Sequence, residues 1–255
     1  MNDHPQDADE SEFLAAYDPS AYAHTSVAVD VVLLTVADGG LRTLLLRRAG
    51  QPAKDRWALP GGFVAMDESL DAAAGRVLAE KAGLDGVFIE QLYTFGEPGR
   101  DPRTRVISVV YYALVEPGRL ERAVAERADQ RLALAAVDVQ TDGGGHVHSV
   151  RALDAAGREL PMAFDHARIL TTAVERIRGK LDYAPIGFEL LPERFTLLEL
   201  RRVHESILGR PLNKDSFRRK VIDRGLVEPT GERATGLGHR PPELYRFARP
   251  TGAAL

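Results

Sequence analysis

The chain has no cysteine, which excludes a disulfide framework, thiolate catalysis, iron–sulfur clusters and any Cys-ligated zinc site. It also lacks a long hydrophobic run. The most extended apolar stretch, Val31–Ala37, is broken by Thr35 and is far shorter than the roughly 20 residues needed to cross a bilayer. No Lys or Arg occurs between Met1 and Ala23, where six acidic residues do, so the positive start and apolar centre of a signal peptide are missing. These first 23 residues read as a flexible acidic tail, and the chain as a cytoplasmic protein. A strong overall charge is absent too. With 33 Lys and Arg against 37 Asp and Glu, the net of −4 argues against both a uniformly basic nucleic-acid protein and an acidic disordered one.

What is present is 255 residues with 44% hydrophobic composition, enough for two domains of roughly 100–200 residues. Charge is divided unevenly: residues 1–184 carry 20 basic and 28 acidic side chains, and residues 185–255 carry 13 and 9. The C-terminal quarter is therefore basic, which suits a solvated face and a phosphate-binding face equally well. Asp165–Leu181 has apolar residues at helical spacing, and Tyr183-Ala184-Pro185-Ile186-Gly187 breaks it. The pattern predicts a tail over residues 1–23, one domain over 24–184 that ends in this helix, and a second over 185–255.

In the first domain, Val27–Val36 and Leu41–Leu46 flank Asp38-Gly39-Gly40, a hairpin signal, and Val106–Leu114 is a further strand. Arg131–Val139 and Val147–Leu153 look like strands about the Gly143–Gly145 turn, although pattern alone leaves the topology of residues 121–161 open.

In the second domain, Thr196 and Glu199 are spaced as a capping box, with Phe195 placed to staple onto Leu200. Leu197, Leu200, Val203 and Ile207 then face inward. Gly209 and Pro211 end that helix, and Asn213 can cap a second over Lys214–Arg224, after a turn short enough for helix-turn-helix geometry. Phe217 and Val221 supply its buried side. Ser216, Arg219 and Lys220 point away from them, with Lys214 and Arg218 on the flank, as on a recognition helix. Leu226–Pro229 and Leu244–Phe247 read as the strands of a wing whose loop carries His239 and Arg240. Such a unit serves DNA binding or protein docking.

From Trp57 the chain reads Trp-Ala-Leu-Pro-Gly-Gly-Phe-Val-Ala-Met-Asp-Glu, followed by a helical run. This segment resembles a Nudix box: Gly62, Glu68, Arg76, Leu78, Glu80, Gly83 and Leu84 match at the family spacing. The resemblance implies a mixed-sheet α/β/α sandwich, and in the family one helical face aims three carboxylates at Mg²⁺. Here those three positions are Val77, Glu80 and Lys81, a hydrocarbon, one carboxylate and an ammonium that repels the cation. The plain structural role for Glu80 is an i,i+4 pair with Arg76, and for Val77 a core stripe with Leu70, Ala73 and Ala74. Trp57 is expected to pack in the core, and Gly83 to cap the helix.

The loop Tyr93–Ser108 brings Arg100, Arg103 and Arg105 to the edge of a strand. Composition alone fits pairing with Glu97 and Asp101, whereas planar guanidinium forks also suit a pyrophosphate. Together, the altered box, this loop, the Tyr183–Leu197 linker and Ile-Leu-Gly-Arg-Pro-Leu-Asn-Lys before Phe217 resemble the Nudix-related transcriptional regulators of the NrtR family. The resemblance implies an α+β protein: a Nudix-like sensor joined to a winged helix-turn-helix, without cofactor, metal or catalytic residue. The implied partners are a second copy, double-stranded operator DNA and a nucleotide such as ADP-ribose, and the implied targets are NAD-biosynthesis genes. The expected effector contacts are Arg48, Gly61, Gly62, Glu68, Glu80, Arg103 and Arg105. The expected DNA contacts are Asn213, Lys214, Ser216, Arg218, Arg219, Lys220, His239 and Arg240. Two alternatives remain at this level: an ADP-ribose pyrophosphatase using Glu68 and Glu80, and a regulator of sugar-utilisation genes.

Overall fold

The computed structural model describes residues 5–127, 131–181, 184–234 and 241–248. Its centre is strand β1 (Ser26–Ala37), which turns directly into β2 (Gly40–Arg47). The two-residue turn holds Asp38 at φ 51° and Gly39 at φ 72°, the doubly left-handed geometry that closes hairpins in register with strand twist. Short strands β3 (Trp57–Ala58) and β4 (Gly61–Phe63) pair with β2 and β1 respectively. Beyond them β5 (Glu90–Phe95), β6 (Val106–Leu114), β7 (Leu132–Thr141) and β8 (Val147–Leu153) complete a sheet ordered β5-β6-β1-β2-β7-β8. Only β1 and β6 run parallel, so this is a mixed sheet. The 121–161 stretch resolves into the β7–β8 hairpin on its edge.

Alternation along β1 divides the interior into two layers. Val29, Val31 and Leu33 face one core, with Val109, Tyr111 and Ala113 of β6. Helix α2 (Leu70–Val77) and helix α3 (Pro117–Glu126) cover that side. Val32 and Leu34 face the other core, covered by helix α4 (His166–Lys180), which buries Ile169, Leu170, Ala173, Val174 and Ile177. Trp57 packs against this second core, as expected. In α2, Ala73, Ala74 and Val77 are buried but Leu70 is exposed, so the expected stripe begins one turn later. The helix continues as a π-turn (Leu78–Ala82) and ends at left-handed Gly83. Helix α3 is not anticipated by the sequence pattern. Pro117-Gly118 reads as a turn, yet proline suits the first helical position, and the Glu116 carboxylate accepts hydrogen bonds from the Gly118 and Arg119 N–H groups.

The flexible-tail expectation for residues 1–23 needs correction. Pro5–Ala16 form a helix, α1, followed by a 3₁₀ turn at Pro19–Ala21. The segment has proline at its first position and three Ala and two Glu among its residues, so local propensity favours a helix there. Residues 10–18 of it are exposed, which is why no apolar periodicity announces it.

The C-terminal unit contains a 3₁₀ segment (Ile186–Leu190), helices α5 (Leu197–Leu208) and α6 (Lys214–Asp223), and an antiparallel pair of strands, β9 (Val227–Arg233) and β10 (Glu243–Phe247). Phe188, Phe195, Leu200, Phe217, Val221, Val227 and Tyr245 form its core. Helix α5 belongs to two cores at once. Leu200 lies in the C-terminal core, while Val203 and Ile207 lie in the core between the sheet and α4. The Ser206 hydroxyl also donates to the Gly39 carbonyl in the β1–β2 turn (3.0 Å).

Candidate effector cleft and nucleic-acid interface

A cleft of about 220 Å³ opens where β1, the β3–β4 connection, the loop before β6 and the start of α4 converge. Its floor is polar. Asp30, one carboxylate in the apolar run of β1, is buried and accepts from the Ser108 hydroxyl of β6. Gly61 is needed beside it, because a Cβ there would fall 2.1 Å from Asp30 Oδ1 and 3.0 Å from the Val29 carbonyl. His166 is buried next to Asp30. Its Nδ1 accepts the Leu59 N–H (2.9 Å), which leaves the ring proton on Nε2, 3.8 Å from Asp30 Oδ1. Burial lowers the His166 pKa, so the ring is neutral near pH 7.

Three arginines reach the cleft in different electrostatic states. Arg100 is buried and forked onto Asp165 at the start of α4 (2.9 and 2.7 Å), with Asp30 3.7 Å away. Arg103 is forked onto Asp101 (3.0 and 2.6 Å) and lies over the Phe63 ring at 5.1 Å. Arg48 donates to the Pro52 carbonyl and lies over the Phe164 ring at 4.8 Å. Burial first, and then repulsion from Arg103, lower the pKa of Arg48. Two guanidiniums lining one cleft, each over an aromatic ring, favour an anion bound in it.

Among the expected effector contacts, Arg48, Gly61, Gly62 and Arg103 line this cleft, and Glu68, Glu80 and Arg105 do not. Arg105 docks the loop through its backbone, its carbonyl accepting the Ser26 N–H (2.9 Å), while its exposed guanidinium lies beside Gly96. Glu68 is consumed by Arg76, which donates to both of its oxygens (2.6 and 2.9 Å), and it also accepts the Ala65 N–H. That cation holds the Glu68 pKa at about 2. Glu80 sits 3.5 Å from the same arginine. The Nudix fold implies Mg²⁺, and these residues do not fit it: Val77 is core, Lys81 is exposed, and the remaining carboxylates face a guanidinium. Sequence reasoning named Arg100 among the loop arginines without placing it in the contact set, and it missed Asp30, Phe63, Phe164 and His166. Of these, only Asp30 left a clear signal, as a carboxylate inside an apolar strand.

The C-terminal unit has helix-turn-helix geometry. The capping box is formed, with Thr196 N–H donating to Glu199 (2.7 Å) and Glu199 N–H to the Thr196 hydroxyl (3.2 Å). Gly209 closes α5 in the left-handed region, and the Asn213 side chain accepts from the Asp215 and Ser216 N–H groups to start α6. The Asn213 amide oxygen is thus occupied by capping. Phe217 and Val221 are buried, while Lys214, Ser216, Arg218, Arg219 and Lys220 are exposed on α6. Strands β9 and β10 form the wing, and Phe195 bridges to Tyr245 to join it to the helices. His239 and Arg240 lie outside the described residues.

Residues 24–143 match the Nudix domain family, and residues 187–247 match the NrtR DNA-binding winged helix domain. The chain is 37% identical over 241 residues to the ADPR responsive transcriptional repressor NtrR of Acinetobacter baylyi, covering 94% of this chain and 88% of that protein. The chain belongs to the NrtR family. Among solved structures it is similar to Shewanella oneidensis NrtR complexed with a 27mer DNA, at TM-score 0.68 and 33% identity, covering 87% of this chain and 93% of that one. A MutT/nudix family protein from Enterococcus faecalis has TM-score 0.72 at 26% identity, covering 94% and 93%. In this NrtR-family chain, helix α4 lies between the two matched segments and contacts both. Its N-terminal Asp165 holds Arg100 at the cleft, and near its other end Arg178 Nε donates to the Ile207 carbonyl at the end of α5 (2.8 Å). No helix among the described residues is long and apolar enough to cross a membrane.

Proposed function

We propose that this protein is a cytoplasmic, homodimeric transcriptional repressor whose sensor domain (residues 24–184) binds ADP-ribose and whose winged helix-turn-helix (residues 185–255) binds operator DNA. The observation that carries this reading is the cleft, which Arg48 and Arg103 both line, one guanidinium lying over the Phe164 ring and the other over the Phe63 ring. Such a site suits a diphosphate flanked by flat or apolar groups. The A. baylyi relative, named as ADPR responsive, supports the choice of ligand, and the S. oneidensis relative crystallised with DNA supports the second partner. ADP-ribose is what remains of NAD after nicotinamide leaves, so a repressor released by it would tie NAD-biosynthesis genes to NAD turnover.

Catalysis is not part of the reading. The Arg76 guanidinium occupies Glu68 and borders Glu80, where a hydrolase would hold its cation. The α6 side chains Lys214, Ser216, Arg218, Arg219 and Lys220 are assigned to DNA, with Arg219 as the base reader. In a dimer, the half-sites would lie about 34–36 Å apart or at a multiple of that spacing.

A mobility-shift titration on the promoter regions beside the gene tests both halves. Binding at low salt that weakens as ADP-ribose is added, while ADP-ribose incubated with Mg²⁺ or Mn²⁺ stays intact, is the expected result. Turnover at an ordinary enzymatic rate would return the protein to the hydrolases. A shift indifferent to ADP-ribose would remove the effector.

A further inference from the structure

The acidic N-terminal arm is not explained by the functions above. Residues 1–23 carry six carboxylates and no Lys or Arg, and they precede both family matches. The arm also displays aromatic rings. Phe13, Tyr17 and Tyr22 are 63%, 46% and 62% exposed and are in contact in series, Phe13 tilted against Tyr17 and Tyr17 stacked on Tyr22, with centroids 5.8 and 5.9 Å apart. Together with Leu14, also exposed, they form an apolar patch on a strongly anionic segment, and contiguous patches of this kind mark interaction sites.

Its chemical complement lies in the basic C-terminal unit. A pocket of about 400 Å³, larger than the effector cleft, opens between the start of α5, helix α6 and β10. Leu197, Leu198, Phe217 and Tyr245 give it apolar walls, and Leu198 is 45% exposed among the described residues. Arg201, Lys214 and Arg218 supply cations to the same pocket. Arg201 Nε is buried and has no hydrogen-bond partner among the described residues. Its nearest carboxylate, Glu205, is 3.7 Å away, too far for a hydrogen bond. A buried donor left unmatched favours an acceptor brought in from outside.

We propose that the N-terminal arm of a second copy docks in this pocket, placing an aromatic ring against Leu197 and Leu198 and a carboxylate on the Arg201–Arg218 side. Residues 10–18 and 20–23 of the arm are exposed on their own chain, which is why the occupant is assigned to the other copy. Both partners are present in every homodimer, and their charges are opposite. Because Lys214 and Arg218 lie on the helix assigned to DNA, a docked arm covers part of that surface and competes with the duplex as an anionic mimic. This competition rests on the DNA-binding reading, whereas the docking itself does not.

The test separates the two. A fluorescently labelled peptide of residues 1–25 is titrated with a chain lacking residues 1–23, and anisotropy is recorded at several salt concentrations. The expected result is salt-weakened binding, abolished when Phe13 and Tyr17 of the peptide become Ala and when Leu198→Glu is introduced in the protein. Leu198 is solvent-facing, so the variant keeps its melting temperature. With a tethered effective concentration on the order of 1 mM and a peptide Kd on the order of 0.1 mM, deleting the arm should tighten operator binding about tenfold. A peptide that does not bind, or that binds Leu198→Glu equally well, overturns the docking. Peptide binding combined with equal DNA affinity of full and truncated chains overturns the competition. If neither form shifts any promoter fragment while the peptide binds as described, it is the DNA-binding reading that fails.

Discussion

Arg178 is the point at which coupling between the two sites is most open to attack. It projects from the last turns of α4 and donates Nε to the Ile207 carbonyl (2.8 Å), one of the α5 carbonyls that has no partner within its own helix. Its Nη2 stands 3.0 Å from where a Cβ on Gly209 would be, so it lies over the turn leading into α6. Burial lowers its pKa, a sign that its charge has been taken out of water for this contact. A hydrogen bond to a charged group contributes about 1.5–3 kcal/mol, offset in part by that desolvation. Arg178→Ala should therefore cost about 1–2 kcal/mol at the α4–α5 contact. Allosteric coupling is itself about 1–3 kcal/mol, or 5–150-fold in affinity, so losing the clamp should remove most of it. Operator affinity would be measured with and without saturating ADP-ribose. DNA binding alone should change by less than about threefold, ADP-ribose binding should persist in calorimetry, and the ratio of the two DNA affinities should fall toward one. Arg178→Lys, which keeps the charge but not the planar fork, should give an intermediate ratio. A full ADP-ribose response in Arg178→Ala would show that the signal does not pass through this contact.

Three further outcomes follow from the geometry. Arg103→Ala should abolish the ADP-ribose response while leaving DNA affinity intact, whereas Arg105→Ala should preserve both, because only Arg103 lines the cleft; calorimetry on the pair decides between them. Arg219→Ala should weaken operator binding by about 1–3 kcal/mol and relax preference at one base per half-site, while a uniform loss across sequences with a flatter salt dependence would make it a phosphate contact. Glu68 is held at about 2 against an ordinary value of 4.5, so its pairing contributes stability above pH 4.5 that is lost as pH falls toward 2. Glu68→Gln should therefore flatten the acid limb of a melting-temperature profile over that window, and an unchanged limb would mean that the Arg76 pair is unimportant in solution.

Legibility in the sequence followed the range of the interaction. The β1–β2 hairpin was readable because Asp38-Gly39 is written for two positive φ values and is flanked by runs rich in Val and Leu. The α5 capping box and the Asn213 cap were readable because every partner lies within three residues. The cleft floor was not, because Asp30 meets Ser108 and His166, 78 and 136 residues further along, and no local spacing rule connects them. The box helix shows the same limit at short range. Helical spacing pairs Arg76 with Glu80, yet the tighter partner is Glu68, reached across a loop at 2.6 Å rather than 3.5 Å. Glu68 and Glu80, expected at the effector, instead lie beside Arg76 and outside the cleft lining. Of the three loop arginines, the sequence could not say which would turn inward, since that depends on Asp101 and Asp165 being there to receive Arg103 and Arg100.

The division into sensor and reader also has to be reconsidered in physical terms. A boundary near Ala184 suggests two bodies on a tether, but Val203 and Ile207 of α5 are buried in the sensor core. Detaching the reader would expose that apolar surface, so the accessible motion is a small slide or tilt of α5 with α4 against the sheet. Helix α4 has 15 residues, about 22 Å at 1.5 Å per residue. If an anion in the cleft draws Arg100 away from Asp165, a tilt of about 10° about the N-terminal end of α4 would move its far end by about 4 Å. One base step of duplex DNA is about 3.4 Å. In the proposed dimer, the same displacement on both subunits would put the two recognition helices out of register with half-sites one helical turn apart. A packed junction can thus release DNA through a motion that a flexible tether would absorb.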